Sequence, residues 1–411
     1  MRGAAVTTLQ TSCCIAGGGP AGLMLGYLLA RAGVPVVVLE KHDDFLRDFR
    51  GDTIHPSTLE VMRELGVLDE FLMRPHQEMH RVSGVVGGRL FTVGDFSHLP
   101  TACKYIAFMP QWDFLDFLAQ RGRRFPAFDL RLGLAAGGLI EEGGRVVGLH
   151  AGGNEGRFDI RADLIVGADG RHSLIREAAG LVPLNIGAPI DVLWLRVTRR
   201  PDDPVDGLGR ISRGRVLVTI DRGAFWQCAF VIPKGSYDGL RARGLDAFRA
   251  EIATMAPFLR DRVDEIVGWD AVKLLTVVVD RLPRWHRPGL LCIGDAAHAM
   301  SPIGGVGVNL AVQDAVAAAN ILAGPLQKRR LGDADLAAVQ RRRELPVRLI
   351  QGIQVLVQNR VFGPVLTEGG GELKAPFVLN LFNWLPFLRR FPARVVGMGF
   401  RPEHVRTPAA M

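Results

Sequence analysis

The stretch Ser12–Glu40, SCCIAGGGPAGLMLGYLLARAGVPVVVLE, decides the fold. Ser12–Ala16 is a short apolar run that ends in glycines, the pattern of a buried strand. Pro20 to Ala32 predicts a helix, with proline in its first turn and Gly33 at its end. Pro35–Leu39 predicts a second buried strand, closed by Glu40. Strand, glycine turn, helix and strand make a βαβ unit, hence a parallel sheet with a right-handed crossover. The turn itself, Gly17-Gly18-Gly19-Pro20-Ala21-Gly22, fits G-x-G-x-x-G. Gly17 permits the tight turn, Gly19 lets a pyrophosphate approach the backbone, and Gly22 lets helix and strand pack closely. Pro20 and Ala21 open the helix, whose N-terminal N–H groups and positive dipole end attract an anion. Glu40, with Lys41 beside it, ends the second strand where a carboxylate can hold ribose hydroxyls. An acidic residue there disfavours a 2′-phosphate, so FAD or NAD is expected over NADP. No Gly-Lys-Ser/Thr follows the glycines, which excludes a P-loop.

Outward from this unit, Ser57–Leu65 predicts a helix with Ser57 as N-cap and Glu60 at capping-box spacing. Met79 to Phe108 breaks into short, turn-rich, strand-like pieces, and Asp113–Arg121 reads as a helix. Ala162–Ala168 and Gly289–Ile293 are further buried strands, and Val306–Leu322 is a strong helix. Between them, VLWLRV, RVLVTI, FWQCAFVI and AVKLLTVVV, from Val192 to Val279, predict strands, interrupted by a helix over Leu245–Ala256. The fold expected is α/β. A discontinuous Rossmann-like cofactor domain (1–78, 105–182, 286–326) carries an inserted antiparallel sheet domain for substrate (79–104, 183–285). A helical C-terminal region (327–411) follows.

Two later segments separate FAD from NAD. One runs from Asp163 through Asp169-Gly170 to Arg176, and the other is Gly294-Asp295-Ala296-Ala297-His298 continuing through Pro302, Gly305, Gly307, Val308 and Asn309 to Asp314. Asp295 lies just past a buried strand, where its carboxylate can accept hydrogen bonds from a polyol chain. The glycines after it lead into the helix at Val306, whose free N–H groups suit the anionic edge of a reduced flavin. With these motifs in this order, from Ser12 to Leu322, the sequence resembles the class A flavoprotein monooxygenases, the para-hydroxybenzoate hydroxylase family.

The resemblance implies FAD as the cofactor, NADH or NADPH as transient reductant and molecular oxygen as co-substrate. Oxygen transfer to an aromatic or similarly flat, apolar molecule would pass through a flavin hydroperoxide, with the flavin carrying the chemistry. It implies that Glu40 holds the adenosine ribose, Arg50 and Asp169 lie near the pyrophosphate, Gln111 and Asp295 touch the ribityl chain, and Pro302 and Gly305–Asn309 border the isoalloxazine. A catalytic side chain is not identified; Arg50, Pro302, His55 and His298 are candidates, His298 being also readable as structural, and His172 stays open. Trp194, Trp226, Gln227 and Phe230 lie on the inserted strands, where alternation turns some of them toward the substrate. Only Tyr27, Tyr105 and Tyr237 are present, so no tyrosine relay for a phenol is visible. Epoxidation, Baeyer–Villiger-type insertion, a flavin-dependent C=C reductase and a non-catalytic flavoprotein remain alternatives. A halogenase would want Trp-x-Trp-x-Ile-Pro, and Cys228–Pro233 has neither tryptophan in register.

Composition agrees with a globular enzyme: 411 residues, 48% hydrophobic and 22% charged, with a formal charge of +8. The arginines are scattered without interleaved aromatics, so no nucleic acid is expected. Five cysteines without C-x-x-C spacing argue against a disulfide framework and a metal site, and point to the cytoplasm. The N-terminus reads as a short tail, not a signal peptide, and no apolar run is expected to reach transmembrane length. Pro376–Phe400, rich in Phe, Leu and Val with Arg389, Arg390 and Arg394 between, fits packing on the chain, a dimer surface or a lipid contact. A monomer or a homodimer is compatible.

Overall fold

The computed structural model describes residues 6–46, 53–154, 156–204, 209–212, 214–367 and 377–410. Arg50 lies outside the described residues.

The glycine stretch forms the unit its pattern predicts. Strand Val6–Ala16 leads through the turn into helix Pro20–Arg31 and strand Val36–Leu39. The strand begins earlier than the apolar run because its first half is exposed and polar on an extended, paired backbone. It lies at the centre of an eight-stranded sheet, parallel to Gly156–Gly167 on one side and Val36–Leu39 on the other. Leu290–Cys292 and Phe128–Arg131 extend the parallel part outward. A hairpin, Leu134–Glu142 with Arg145–Gly153, is added antiparallel to the outer half of Gly156–Gly167. Helices Pro20–Arg31 and Gly307–Gln327 pack together against this sheet, in a core that includes Leu25, Leu29, Val312 and Val316.

A second sheet of seven strands is inserted between these pieces. Its order is Lys273–Leu275, Ile190–Thr198, Phe225–Pro233, Arg215–Asp221, Gly209–Ser212, Arg81–Val86 and Arg89–Asp95. All neighbours are antiparallel except Gly209–Ser212 with Arg81–Val86. One face is covered by helix Leu245–Met255 and its neighbours, which bury Leu193, Leu195, Trp226, Cys228, Phe230 and Ile232. The other face, carrying Val192, Trp194, Gln227, Ala229 and Val231, looks back toward the first sheet. A small sheet, Thr53–Ile54, Ile106–Phe108 and Gln77–Met79, stands between the two. The C-terminal region is helical, with Asp333–Val357 its longest element.

Three expectations are corrected. The helix after residue 55 starts at Pro56 with His55 as N-cap, because proline's fixed φ suits the first helical position. Ser57 instead donates to Asn309 Oδ1 at 2.5 Å, and Glu60 binds Arg63 and the Ala102 N–H. The apolar run AVKLLTVVV is a strand only over Lys273–Leu275; beyond it the Val277 N–H turns to Asp191 Oδ1 at 2.9 Å rather than to a neighbouring strand. Among the described residues one helix, Ile303–Gln327, is long and apolar enough to cross a membrane, but 83% of its apolar window is buried inside the protein, which explains its composition as core. All five cysteines are free and buried.

The turn tolerates no substitution at Gly22, because an added Cβ would sit 1.9 Å from the Gly17 carbonyl oxygen. Gly22→Ala should therefore destabilise the fold by about 1–3 kcal/mol, the usual range for overpacking. Chemical denaturation of parent and variant measures it, and equal midpoints would remove the helix–turn contact as a constraint.

Candidate functional site

One cavity of about 1520 Å³ runs from the glycine turn to the inserted sheet. Its first half is built from backbone. Gly17 (φ +110°) brings the turn so close to the second motif that a Cβ would lie 2.3 Å from the Ala168 carbonyl oxygen. At Gly19 an added Cβ meets nothing within 4 Å, so this glycine faces open cavity. Gly19 is also the N-cap of helix Pro20–Arg31 and no side chain caps it, which leaves the helix N-terminus available to an anion. Glu40 accepts the Gly18 N–H on Oε2 (3.0 Å) and the His42 N–H on Oε1 (3.2 Å), so its carboxylate is oriented at the cavity wall.

The second motif is tied to the first and third. Asp169 accepts the Ser173 hydroxyl (2.5 Å) and the Ile175 N–H (3.1 Å), fixing the start of helix Leu174–Ala178. Arg176 then donates to the carbonyls of Arg171 (2.8 Å) and Ala296 (3.3 Å), joining the Asp169 turn to the Asp295 turn. Asp295 lines the cavity, 4.0 Å from Arg171. Helix Gly307–Gln327 also begins without a side-chain cap, with Gly307 and Val308 at the cavity wall.

Of the residues singled out by sequence, Gly17, Gly19, Pro20, Ala21, Glu40, Lys41, Gln111, Asp169, Asp295, Pro302, Gly305, Gly307 and Val308 all line the cavity, as does His172. Gly22 and Gly294 stand behind it: Gly22 packs on the turn, and Gly294 donates its N–H to Asp314 Oδ2 at 3.1 Å. Asn309 is buried away from the cavity, accepting the Ser57 and Thr58 hydroxyls. His298 is likewise enclosed, with Nε2 2.6 Å from Asp314, which supports its structural reading.

His55 is fully buried between two carbonyls, Val396 (2.8 Å) and Gly305 (3.0 Å), and does not reach the cavity. Burial drives its imidazole down to about 4, against the pull of those two carbonyls toward the charged form. The residue holds Gly305, together with the Thr53 hydroxyl at 2.7 Å from the same carbonyl. It is a positioning residue, not a candidate acid or base at the substrate.

On the inserted sheet the strand period separates the four candidates. Trp194 and Gln227 line the cavity. Trp226 and Phe230 face the opposite way: Trp226 donates to Asp203 at 2.8 Å inside the second core, and Phe230 packs edge-on against Phe248. The cavity floor is thus Ile190, Val192, Trp194, Ala229 and Val231, with Gln227 as its polar end. Gln227 Oε1 accepts from Arg222 Nε at 2.9 Å, and Arg222 stacks over Phe108 at 5.5 Å. Among the described residues no tyrosine lines the cavity.

Sequence reasoning missed the C-terminal contribution. Gln351, Gln354 and Gln358 form a buried amide stripe on the C-terminal helical segment. Gln354 donates to the carbonyls of Ser301 and Ile303 (both 2.9 Å), Gln351 to those of Asp280 and Ala299, and Gln358 to the Ser301 hydroxyl. They hold the loop around Pro302 that borders the cavity. Their spacing of three and four residues was the available signal.

Comparison with known proteins agrees with this geometry. A family model described as FAD binding domain matches residues 10–352. The 6-methylpretetramide 4-monooxygenase of Streptomyces rimosus is 36% identical over 86% of this chain and 84% of its own. The 6-hydroxy-3-succinoylpyridine 3-monooxygenase HspB of Pseudomonas putida is 27% identical over 82% and 86%. The P. aeruginosa PqsL structure in complex with 2-aminobenzoylacetate superimposes with a TM-score of 0.76 at 22% identity, covering 87% of this chain and 97% of that one.

Two outcomes check the site. Gly19→Val places its side chain in open cavity, so the protein should fold as the parent does but lose FAD; a yellow variant would refute the pyrophosphate assignment. An imidazole that titrates near 4 when folded and near 6.5 when unfolded lets the unfolded chain bind more protons between those pH values. Stability from neutral His55 is therefore full above about pH 6.5 and falls toward pH 4. The stability gap between parent and His55→Gln should narrow by up to about 3 kcal/mol over that window, measured by denaturation at both ends. A pH-independent gap would show that burial does not shift the imidazole.

The glycine cradle, the two uncapped helix starts, the three motifs around one cavity and the relatives together place this chain in the family of FAD-dependent monooxygenases of the class A, para-hydroxybenzoate hydroxylase-like type.

Proposed function

We propose that the enzyme hydroxylates a flat, multi-ring aromatic substrate lying on the inserted sheet. The supporting observation is the shape of the cavity beyond the glycine cradle: the central strands of the inserted sheet give it a floor of Ile190, Val192, Trp194, Ala229 and Val231, with Gln227 at its polar end. Drug-sized ligands occupy pockets of roughly 300–1,000 Å³. A cavity of 1520 Å³ has room for a dinucleotide and a guest larger than one ring. The 36% identical relative is named as a monooxygenase of 6-methylpretetramide.

The residues divide the work. Gly17–Ala21 and the start of helix Pro20–Arg31 would receive the pyrophosphate, Glu40 the ribose, and Gln111 and Asp295 the polyol chain. Bound FAD, once reduced by NADH or NADPH, supplies the activation of oxygen for insertion at an electron-rich carbon. The start of helix Gly307–Gln327 would stabilise negative charge on the pyrimidine edge of the ring system. The apolar floor keeps water from the reacting centre. Gln227 presents its amide to the cavity with Oε1 already engaged by Arg222, which leaves Nε2 as a donor toward a substrate oxygen. Trp194 lies on the same face, with its Nε1 enclosed by protein and without a hydrogen-bond partner among the described residues. A ring system carrying carbonyl or phenolic oxygen toward Gln227 matches this floor.

Anaerobic bleaching of the flavin by NADH and NADPH tests the reading. Multi-ring hydroxyaromatics should accelerate bleaching well beyond single-ring phenols, and equal acceleration by both would overturn the size argument. Gln227→Leu should raise KM for the accelerating compound by about five- to tenfold, the loss of one hydrogen bond of about 1–1.4 kcal/mol, with FAD content unchanged.

A further inference from the structure

The C-terminal region presents an apolar surface that the proposed reaction does not use. Helix Phe377–Trp384 lies along strand Arg89–Asp95, tied by Asn383 Nδ2 donating to the Leu90 carbonyl at 3.3 Å. It leaves Phe377 69% and Trp384 68% exposed, their rings in edge contact at 6.0 Å. The following turn and the start of helix Arg390–Met398 expose Leu385, Phe387 and Phe391. Leu90, on the strand beneath, is 57% exposed.

Charge on this surface has one sign. From Phe377 to Arg401 the sequence contains Arg389, Arg390, Arg394 and Arg401 and no Asp or Glu. Arg390 and Arg394 are exposed, and the Arg390 guanidinium sits over the rings of Phe387 (5.8 Å) and Phe391 (5.1 Å). Arg89 is exposed beside Leu90. The patch is also continuous with the cavity: Leu90 belongs to both, and Val396, on the same helix as Arg390 and Arg394, lines the cavity wall.

We infer that this patch docks the enzyme on an anionic lipid surface, with the aromatic side chains in the headgroup region and the arginines on the lipid phosphates. Aromatic side chains beside arginines, without acids, are the composition of an interfacial anchor. Arginine extends its stem along apolar surface while its guanidinium stays with the headgroups. An acidic soluble partner would satisfy the arginines but leave flat aromatic rings without pockets to fill; a lipid surface satisfies both at once. Docking there brings the Leu90 rim of the cavity to the acyl boundary, where an apolar multi-ring compound partitions. That consequence rests on the substrate proposed above; the docking itself does not.

The test uses the FAD-loaded full chain and vesicles, without substrate. Co-sedimentation with vesicles of equal parts phosphatidylglycerol and phosphatidylcholine should be clear at low salt and lost as salt is raised, with pure phosphatidylcholine giving little. Trp384→Ala/Phe387→Ser and, separately, Arg390→Gln/Arg394→Gln should each weaken binding about tenfold or more while keeping the flavin spectrum of the parent. Equal binding to neutral and anionic vesicles, no binding to either, or parent-like binding by both variants overturns the proposal. Loss of a dimer by Trp384→Ala/Phe387→Ser in sedimentation velocity would assign the patch to a second copy and overturn it as well. Because no substrate is present, these outcomes stand apart from the bleaching experiment.

Discussion

The buried carboxylate of Asp314 is the point on which the site's geometry depends. It is fully enclosed, yet it accepts the Gly294 N–H (3.1 Å) and the Arg343 Nε–H (2.9 Å) and lies 2.6 Å from His298 Nε2. Burial alone would push this carboxyl up; His298 and Arg343 outweigh it and hold the group below the usual carboxylate range. Arg343 lies 3.6 Å from Glu403, and the Glu403 N–H returns to the Gln313 side chain one residue before Asp314. A single charge thus fixes the Gly294–Asp295 turn, the helix that starts at Gly307, the long C-terminal helix and the tail. Removing one partner from such a buried cluster costs about 3–5 kcal/mol, because the remaining charge has no water to return to. The network sets where Asp295 stands without reaching the cavity itself.

Much of the cofactor half was legible because backbone constraints leave a chemical trace. Only glycine fits at Gly17, against the Ala168 carbonyl, and only glycine fits at Gly22, against Gly17. Buried parallel strands likewise appear as unbroken apolar runs, as at Val36–Leu39. The substrate half was less legible for a physical reason. Strand Phe225–Pro233 is apolar on both faces because each is covered, one by helix Leu245–Met255 and one by the cavity. Alternation then cannot say which of Trp226 and Gln227 faces the substrate; the indole's bond to Asp203, a residue distant in sequence, decides it. The glutamines at 351, 354 and 358 were hidden differently. Amide side chains usually mark a solvated face, and here their partners are loop carbonyls supplied by tertiary packing.

The two halves of the cavity rest on different kinds of recognition. Toward the dinucleotide, the wall is glycines, helix starts and carboxylates whose second contacts are backbone N–H groups. Most side chains of those strands and helices point into the core, so exchanges there act on stability before they act on binding. Toward the substrate, the wall is side chains alternating along strands whose backbone is paired to neighbouring strands. An exchange at Ile190, Val192, Ala229 or Val231 reshapes the floor without disturbing a ladder hydrogen bond.

That division places the burden of selectivity on a few positions. Gln227 is the one polar side chain among the floor residues of strand Phe225–Pro233, and its amide orientation is set by Arg222, which in turn rests on Phe108 of the small middle sheet. Strand Ile106–Phe108 pairs with Thr53–Ile54, and the Thr53 hydroxyl holds the Gly305 carbonyl on the loop at the cavity edge. A continuous chain of contacts therefore runs from Gln227, at the polar end of the floor, to the Gly305 loop. Gln227 and Gly305 are thus joined through packed, hydrogen-bonded neighbours. A substrate that seats correctly on the floor would stiffen the same contacts that fix the loop, which is the physical form that a link between substrate presence and flavin reduction can take in this fold.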